Sequence, residues 1–347
     1  MSQPLPVLIL ASSSKNCSRR KIHEGFMQKS SPTSNWERHG RLALSLVLAG
    51  ALAAGCGDSA NDDVKDSAGS AGDLGAASES SESRTDLAGQ LGALVSELEE
   101  DFPGEVGIAV SGASQTSSAG VAGEGPAWST IKVPIAIAAL RDGASPELVN
   151  LAIEQSDNDA AYALWSQVKW SEDNATAAID EVLAEGDSRV QWQSPDDYGD
   201  VSFGYATWPL REQAPFAAHL RCIAGSHDVY DAMTNLVDWQ SYGLAELLGT
   251  HVKGGWGLDE DTGVYTQRQI GSLELRDGSI GVAIVTTQNE NGSEDGEEDS
   301  AGVGIEGTSE EASYERAVEV LNKAAARIPA LVDSAVAAGE LDPVESC

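Results

Sequence analysis

Three strand-like runs follow one another near the end of the chain: HVKGGW (251–256), VYTQRQIGSLEL (264–275) and SIGVAIVTT (279–287). Only turn signals such as Asp277-Gly278 separate them. That leaves no room for the dozen or more residues of a parallel crossover, so the runs predict an antiparallel meander. An earlier pair stands apart. Val106, Ile108 and Val110 alternate as one strand, and a Ser/Gly turn leads to a weaker strand running through Val121. Helical patterns bracket both groups. Leu87, Leu91, Leu94, Val95 and Leu98 mark one face of a helix that stops at Phe102-Pro103-Gly104, and Thr308 with Glu311 forms a capping box for a final helix. The order helix, two strands, helices, three strands, helix predicts an α+β fold: a three-layer arrangement in which an antiparallel sheet is flanked by helices and a reduced all-helical subdomain is inserted.

Within that insertion, WSTIKVPIA (128–136) opens one helix and Ser145-Pro146-Glu147 another, and QSDNDAAYALWSQV (155–168) carries Ala161, Leu164, Trp165 and Val168 on one face. Residues 170–215 read as irregular, followed by helices near 216–224 and 228–248. The segment 288–307 is an acidic loop and reads as a solvated insertion.

The first 85 residues have a different texture. From Arg41 the sequence RLALSLVLAGALAAGC places a positive residue before a short apolar run that ends in small residues and Cys56, the layout of an export signal and too short for a membrane span. Leu52 and AAGC resemble the lipobox of bacterial lipoproteins, which implies lipid attachment at Cys56 and anchoring to the membrane outside the cytoplasm. Residues 1–55 are read as signal peptide, with Met27 as the better start. Residues 56–85 form an acidic Ser/Gly/Ala-rich tether with too little apolar surface to fold. The folded domain spans 86–337, with a tail at 338–347.

The formal net charge is −34, and removing the basic leader makes the remainder more acidic still. Nucleic acid and anionic lipid surfaces are excluded as partners on that balance. Cys17 leaves with the leader, so Cys222 and Cys347 are the thiols that could pair outside the cell. The terminal position of Cys347 argues for a mobile tail and against pairing. No CxxC or HExxH occurs, and His219, His227 and His251 lack ligand spacing. Neither a metal nor another cofactor is expected.

Three short elements carry chemistry. In Ser129-Thr130-Ile131-Lys132 a hydroxyl and an amine stand one helical turn apart, so the amine can lie on the hydroxyl's face, and Pro134 suits a helix's first turn. SxxK by itself says little, since it recurs at Ser12–Lys15 and Ser166–Lys169. The others are Ser156-Asp157-Asn158, opening an apolar helix, and Lys253-Gly254-Gly255, on the first strand of the meander. Serine is a poor nucleophile at neutral pH and needs a base. An amine serves if burial and a neighbouring cation lower its pKa.

In this order and on these elements, the chain resembles the serine penicillin-recognising enzymes: class A β-lactamases, D,D-peptidases and penicillin-binding proteins. The resemblance covers about residues 86–337. It implies a β-lactamase/transpeptidase-like fold with Ser129 as nucleophile, Lys132 as base, Ser156 as proton relay and Lys253 as electrostatic partner. Asn158 would hold a substrate amide, and Gly255 and Trp256 would border the substrate. The backbone N–H groups of Ser129 and Trp256 would receive the oxyanion. The implied substrate is a D-alanyl peptide of the cell wall, or a related amide or ester, with β-lactams as mimics and the protein acting as a monomer.

Two departures bear on mechanism. Gly254 stands where the family has a Ser or Thr that helps bind a substrate carboxylate. Binding would then rest on Lys253 and Arg268, although the strand pattern reads Arg268 as a surface residue. The Glu and Asn that hold the deacylating water in class A enzymes have no counterpart in 170–225. Asp231 with Asn235 has the spacing but lies too near Lys253, and Glu212 is the nearest alternative. Acyl-enzyme formation with slow turnover is the leading expectation. A β-lactamase with an unconventional deacylation base, and an inactive cell-wall or partner-binding lipoprotein on the same fold, are the alternatives. Trp128, Trp165, Trp208 and Trp256 are candidates for a cleft wall or for packing.

Overall fold

The computed structural model describes residues 86–121, 123–171, 175–192, 203–259, 262–289 and 309–347. All of them belong to one compact unit, Ala76–Cys347. The stretches read above as signal peptide and tether, Cys56, Thr308 and the acidic segment from residue 290 lie outside the described residues.

The first helix, α1 (Leu87–Asp101), starts at Asp86, whose side chain accepts the Gly89 N–H, and buries the five apolar residues read from its periodicity. Strands β1 (Glu105–Ser111) and β2 (Thr116–Gly120) follow. Helices come next: α2 (Lys132–Arg141), α3 (Pro146–Glu154), α4 (Asn158–Ser171), α5 (Ala175–Glu185), α6 (Leu210–His219) and α7 (His227–Ala232). Then come β3 (Thr250–Asp259), β4 (Val264–Leu275), β5 (Gly278–Asn289) and α8 (Ser309–Ala338). The strands form one antiparallel sheet in the order β2-β1-β5-β4-β3. The hairpin from the first part of the domain thus adds to the meander through β1 and β5, and the helical insertion runs between β2 and β3. This is the α+β architecture expected from the element order.

Both faces of the sheet are covered, and the two-residue period divides the side chains between them. Ile108, Val110, Ile280, Val282 and Ile284 pack with α1 and α8. Ala109, Ala283, Val285 and Ile270 face the helical insertion. That side is lined by small residues because α6 lies directly on it: a β-carbon on Gly281 would collide with the Ala214 carbonyl. Position 281 therefore tolerates only glycine.

Two helical readings change. Residues 175–185, expected to be irregular, form α5 around buried Ile179, Val182 and Leu183. The helix expected near 228–248 stops at Ala232 and gives way to 3₁₀ turns at Asp238–Gln240 and Gly243–Glu246. The chain must come back to the sheet edge here: the Met233 carbonyl accepts Val252 N–H at 3.0 Å, and Gly243 takes φ 60°. These contacts override local helical tendency.

The tail is also anchored. Val344 and Ser279 exchange two backbone hydrogen bonds of 2.9 Å, and Cys347 forms a disulfide with Cys222. The expectation of a mobile, unpaired Cys347 is thus corrected. The tail already lies along β5, which brings the terminal thiol to the turn after α6.

Candidate active site

The three chemical elements meet at the free edge of β3. Ser129 and its neighbours form a 3₁₀ turn, Trp128–Ile131, and α2 begins at Lys132. The side chain of Lys132 is almost fully buried. Its Nζ donates to the Ser156 carbonyl at 2.6 Å and to Asn158 Oδ1 at 2.7 Å, with longer contacts to the Asp157 carbonyl (3.3 Å) and Ser156 Oγ (3.4 Å). From the other side, Lys253 Nζ donates to Ser156 Oγ at 2.9 Å and to the Gly254 carbonyl at 2.9 Å. Two amines separated by more than a hundred residues of chain converge on one serine hydroxyl. The Ser129 hydroxyl is half-buried and makes no hydrogen bond among the described residues.

Local sequence explains how each group is held. Asp157 is the N-cap of α4, accepting the Ala160 N–H at 2.7 Å. The cap turns Ser156 out of the helix, and Ser156 takes the left-handed conformation, φ 54°. Trp128, next to Ser129, has φ 50°. Non-glycine residues in this region are costly and persist where surroundings enforce them, commonly at functional sites. Asn158 turns its carbonyl oxygen to Lys132, and because the residue is exposed, its amide N–H groups are left toward solvent.

Gly255 and Trp256 lie on the outermost strand. Glu274 N–H bonds to the Gly249 carbonyl across the β3–β4 ladder, and Val252 N–H points away from β4 to Met233. The register from Thr250↔Leu273 to Asp259↔Val264 is unbroken, so the N–H groups of Gly254, Trp256 and Leu258 also point outward. A β-carbon on Gly255 would stand 2.9 Å from the backbone nitrogen of Ser129. The absence of that carbon lets the 3₁₀ turn approach the strand closely enough for the Ser129 and Trp256 N–H groups to border the same edge.

Burial governs the electrostatics. It pulls the Lys132 amine down from 10.5 to about 7, against the opposing charge of Asp157. Lys253 is fully buried and is pushed well below the usual lysine range, first by burial and then by Lys132 beside it. Of the two causes expected for Lys132, burial acts on it, while the charge-on-charge effect falls on Lys253 instead.

Arg268 is not a surface residue. It is 1% exposed, and its guanidinium is taken up by backbone carbonyls. One arm donates to the carbonyls of Pro126 (2.6 Å) and Gly125 (3.4 Å), the other to those of Gly123 and Trp208 (3.1 Å each). It fastens the chain leading into Ser129 to β4, and a role in carboxylate binding is incompatible with that orientation. Its position in an alternating strand gave no sign of this, because the facing loop is remote in sequence.

The remaining candidates separate. Glu212 accepts the Arg189 N–H at 2.5 Å and so closes a loop. Asp231 lies exposed on α7 beside His227 at 3.3 Å, and Asn235 Nδ2 donates to the Asp231 carbonyl. Trp165 and Trp208 are core residues. Trp128 packs against Tyr205, and Trp256 against Trp239, with ring centroids 5.3 and 5.4 Å apart. Among the described residues no cluster of His, Cys, Asp and Glu could hold a metal ion, and no helix is long and apolar enough to cross a membrane.

No protein-family model matches the chain, and no curated protein matches it. Solved structures do. A class A β-lactamase from Mycobacterium abscessus has a TM-score of 0.46 at 14% identity, covering 69% of this chain and 99% of that one. A β-lactamase from Streptosporangium roseum gives 0.46 at 15%, covering 70% and 99%. The class A β-lactamase of the last common ancestor of Gram-negative bacteria gives 0.44 at 18%, covering 69% and 99%. Likenesses this distant assign no activity, and the functional reading rests on the residues themselves.

Proposed function

We propose that this protein is a serine hydrolase that forms an acyl-enzyme on Ser129. One observation carries the reading: Lys132 and Lys253, both buried, converge on Ser156 Oγ at 3.4 and 2.9 Å, and Lys132 follows by one turn a serine whose own hydroxyl makes no hydrogen bond among the described residues. Burying two amines is expensive, and a structural role would need only one polar link between these elements.

In the proposed mechanism, neutral Lys132 takes the Ser129 proton as Oγ attacks the carbonyl of an amide or ester. The N–H groups of Ser129 and Trp256 receive the oxyanion; each such donor is worth about 3–4 kcal/mol in the transition state. Ser156, hydrogen-bonded to both amines, passes a proton to the leaving nitrogen or oxygen. The exposed amide of Asn158 is placed to hold a substrate carbonyl. The substrate class is a D-alanyl peptide of the cell wall or a related amide or ester, with β-lactams as acylating mimics. Acylation followed by slow turnover is favoured, because residues 170–225 contain no Glu with an Asn four residues later to hold a deacylating water. Export with lipid attachment at Cys56 accompanies this reading and would place the domain on the outer side of a membrane.

The test is a burst measurement with a chromogenic cephalosporin in excess over the enzyme. A colour burst equal to the enzyme concentration, then slow steady release, is expected. A Ser129→Ala variant that gives the same burst would overturn the proposal.

A further inference from the structure

The third element has no side chain at Gly254, yet the space beside it contains a hydroxyl. A β-carbon on Gly254 would lie 3.4 Å from Tyr242 Oη and 3.8 Å from the Trp256 ring, with no closer neighbour. The position is buried but has room for a β-carbon in ordinary contact, and its polar boundary comes from Tyr242, which precedes the 3₁₀ turn Gly243–Glu246 on the way to β3.

Tyr242 is held in place. Tyr265 donates its O–H to Gln267 Oε1 at 2.7 Å, and Gln267 Nε2 donates in turn to Tyr242 Oη. That order leaves the Tyr242 proton available, and no acceptor among the described residues takes it. The backbone of Tyr242 is fixed as well, since its carbonyl accepts Gln269 Nε2 at 2.8 Å. Gln267 and Gln269 face Trp256 and Gly254 across the ladder. The hydroxyl thus stands on a rigid amide network beside the same strand edge that carries Lys253. Arg268, the cation on that stretch of β4, is turned inward onto four carbonyls.

We propose that Tyr242 is a substrate-binding residue whose hydroxyl donates to an oxygen acceptor of the acyl substrate lying beside Gly254. It rests on the acyl-enzyme reading and deepens it by assigning the donor that the strand itself lacks. The acceptor is a carbonyl or carboxylate oxygen flanking the scissile bond, and it is met by a neutral O–H in place of a guanidinium.

The test measures the second-order rate of acylation by benzylpenicillin, read by intact mass, for the wild type, Tyr242→Phe, Gly254→Ser and the double variant. Loss of one neutral donor should slow Tyr242→Phe about five- to tenfold. The Gly254→Ser change places Oγ one bond beyond a β-carbon that itself lies 3.4 Å from Tyr242 Oη, toward the volume that Oη vacates. The double variant should therefore recover most of the rate. Thermal midpoints of the variants separate binding from folding, since a packing defect would not be rescued by a hydroxyl on another element. Wild-type rate in Tyr242→Phe, or equal slowness in Tyr242→Phe and the double variant, would overturn the inference and leave the acyl-enzyme reading intact. No adduct on the wild type would overturn both.

Discussion

Removal from water sets the proton affinity of Lys132, and this fixes the pH response of the proposed chemistry. A lysine held at about 7 is mostly protonated at pH 6 and mostly neutral at pH 8. Only the neutral amine can accept the Ser129 proton, so acylation should rise with pH through the neutral range and level off above it. Rates of adduct formation between pH 5.5 and 9 check this. A rate that falls across the range would contradict the assignment of the base. Lys132→Arg keeps a cation that does not deprotonate, so it should lower the rate at least about a hundredfold and flatten the profile. The candidate residues were legible in the sequence because SxxK and SDN each stand at the start of a helix and KGG, inside β3, completes a familiar set in the same order. The direction of the Lys132 shift was legible too. The partners that hold the buried amine were not, because the carbonyls of Ser156 and Asp157 reach it only through a left-handed serine that no local pattern announces.

At the scale of elements, the close approach of the Trp128–Ile131 turn to β3 is the critical contact, and glycine makes it possible. Gly255→Ala places a β-carbon 2.9 Å from Ala127 O, Ser129 N and Thr130 N. Backbone atoms cannot yield as side chains do, so the turn must shift. We expect a stability loss of about 1–3 kcal/mol but a fall in acylation of about a hundredfold, because a small displacement of the nucleophile is costly. Denaturant unfolding and adduct kinetics on the same variant check both figures, and unchanged kinetics would show that the approach does not matter. Helix α5 shows what element-level reading can miss: Ile179, Val182 and Leu183 had helical spacing, but the polar stretches on either side obscured it. The turns after α7 show the opposite error, since a segment with fair helical propensity is drawn out as the Met233 carbonyl meets Val252 of β3. Arg268 and Tyr242 belong to the same class. Both act across segments far apart in sequence, and only the folded register brings them together.

For the whole molecule, the sheet closes the chain on itself: β1 pairs with β5, and the Cys222–Cys347 bridge ties the last residue back across 125 positions. The order of elements made this topology readable, because a meander and a distant hairpin have few ways to share one core. The bridge was not readable, since it depends on the tail running beside Ser279. Cross-linking a loop of that length stabilises by about 5 kcal/mol in the chain-entropy account. Reduction, or Cys222→Ser, should therefore lower the thermal midpoint by about 10 °C; a midpoint indifferent to reductant would contradict a structural role. The central claim concerns Ser129, and intact mass spectrometry of residues 85–347 with benzylpenicillin, followed over time beside Ser129→Ala, tests it most directly. The account predicts a stoichiometric mass gain on the wild type alone that decays slowly. No gain on the wild type with benzylpenicillin or with activated esters, or an equal gain on Ser129→Ala, would contradict it.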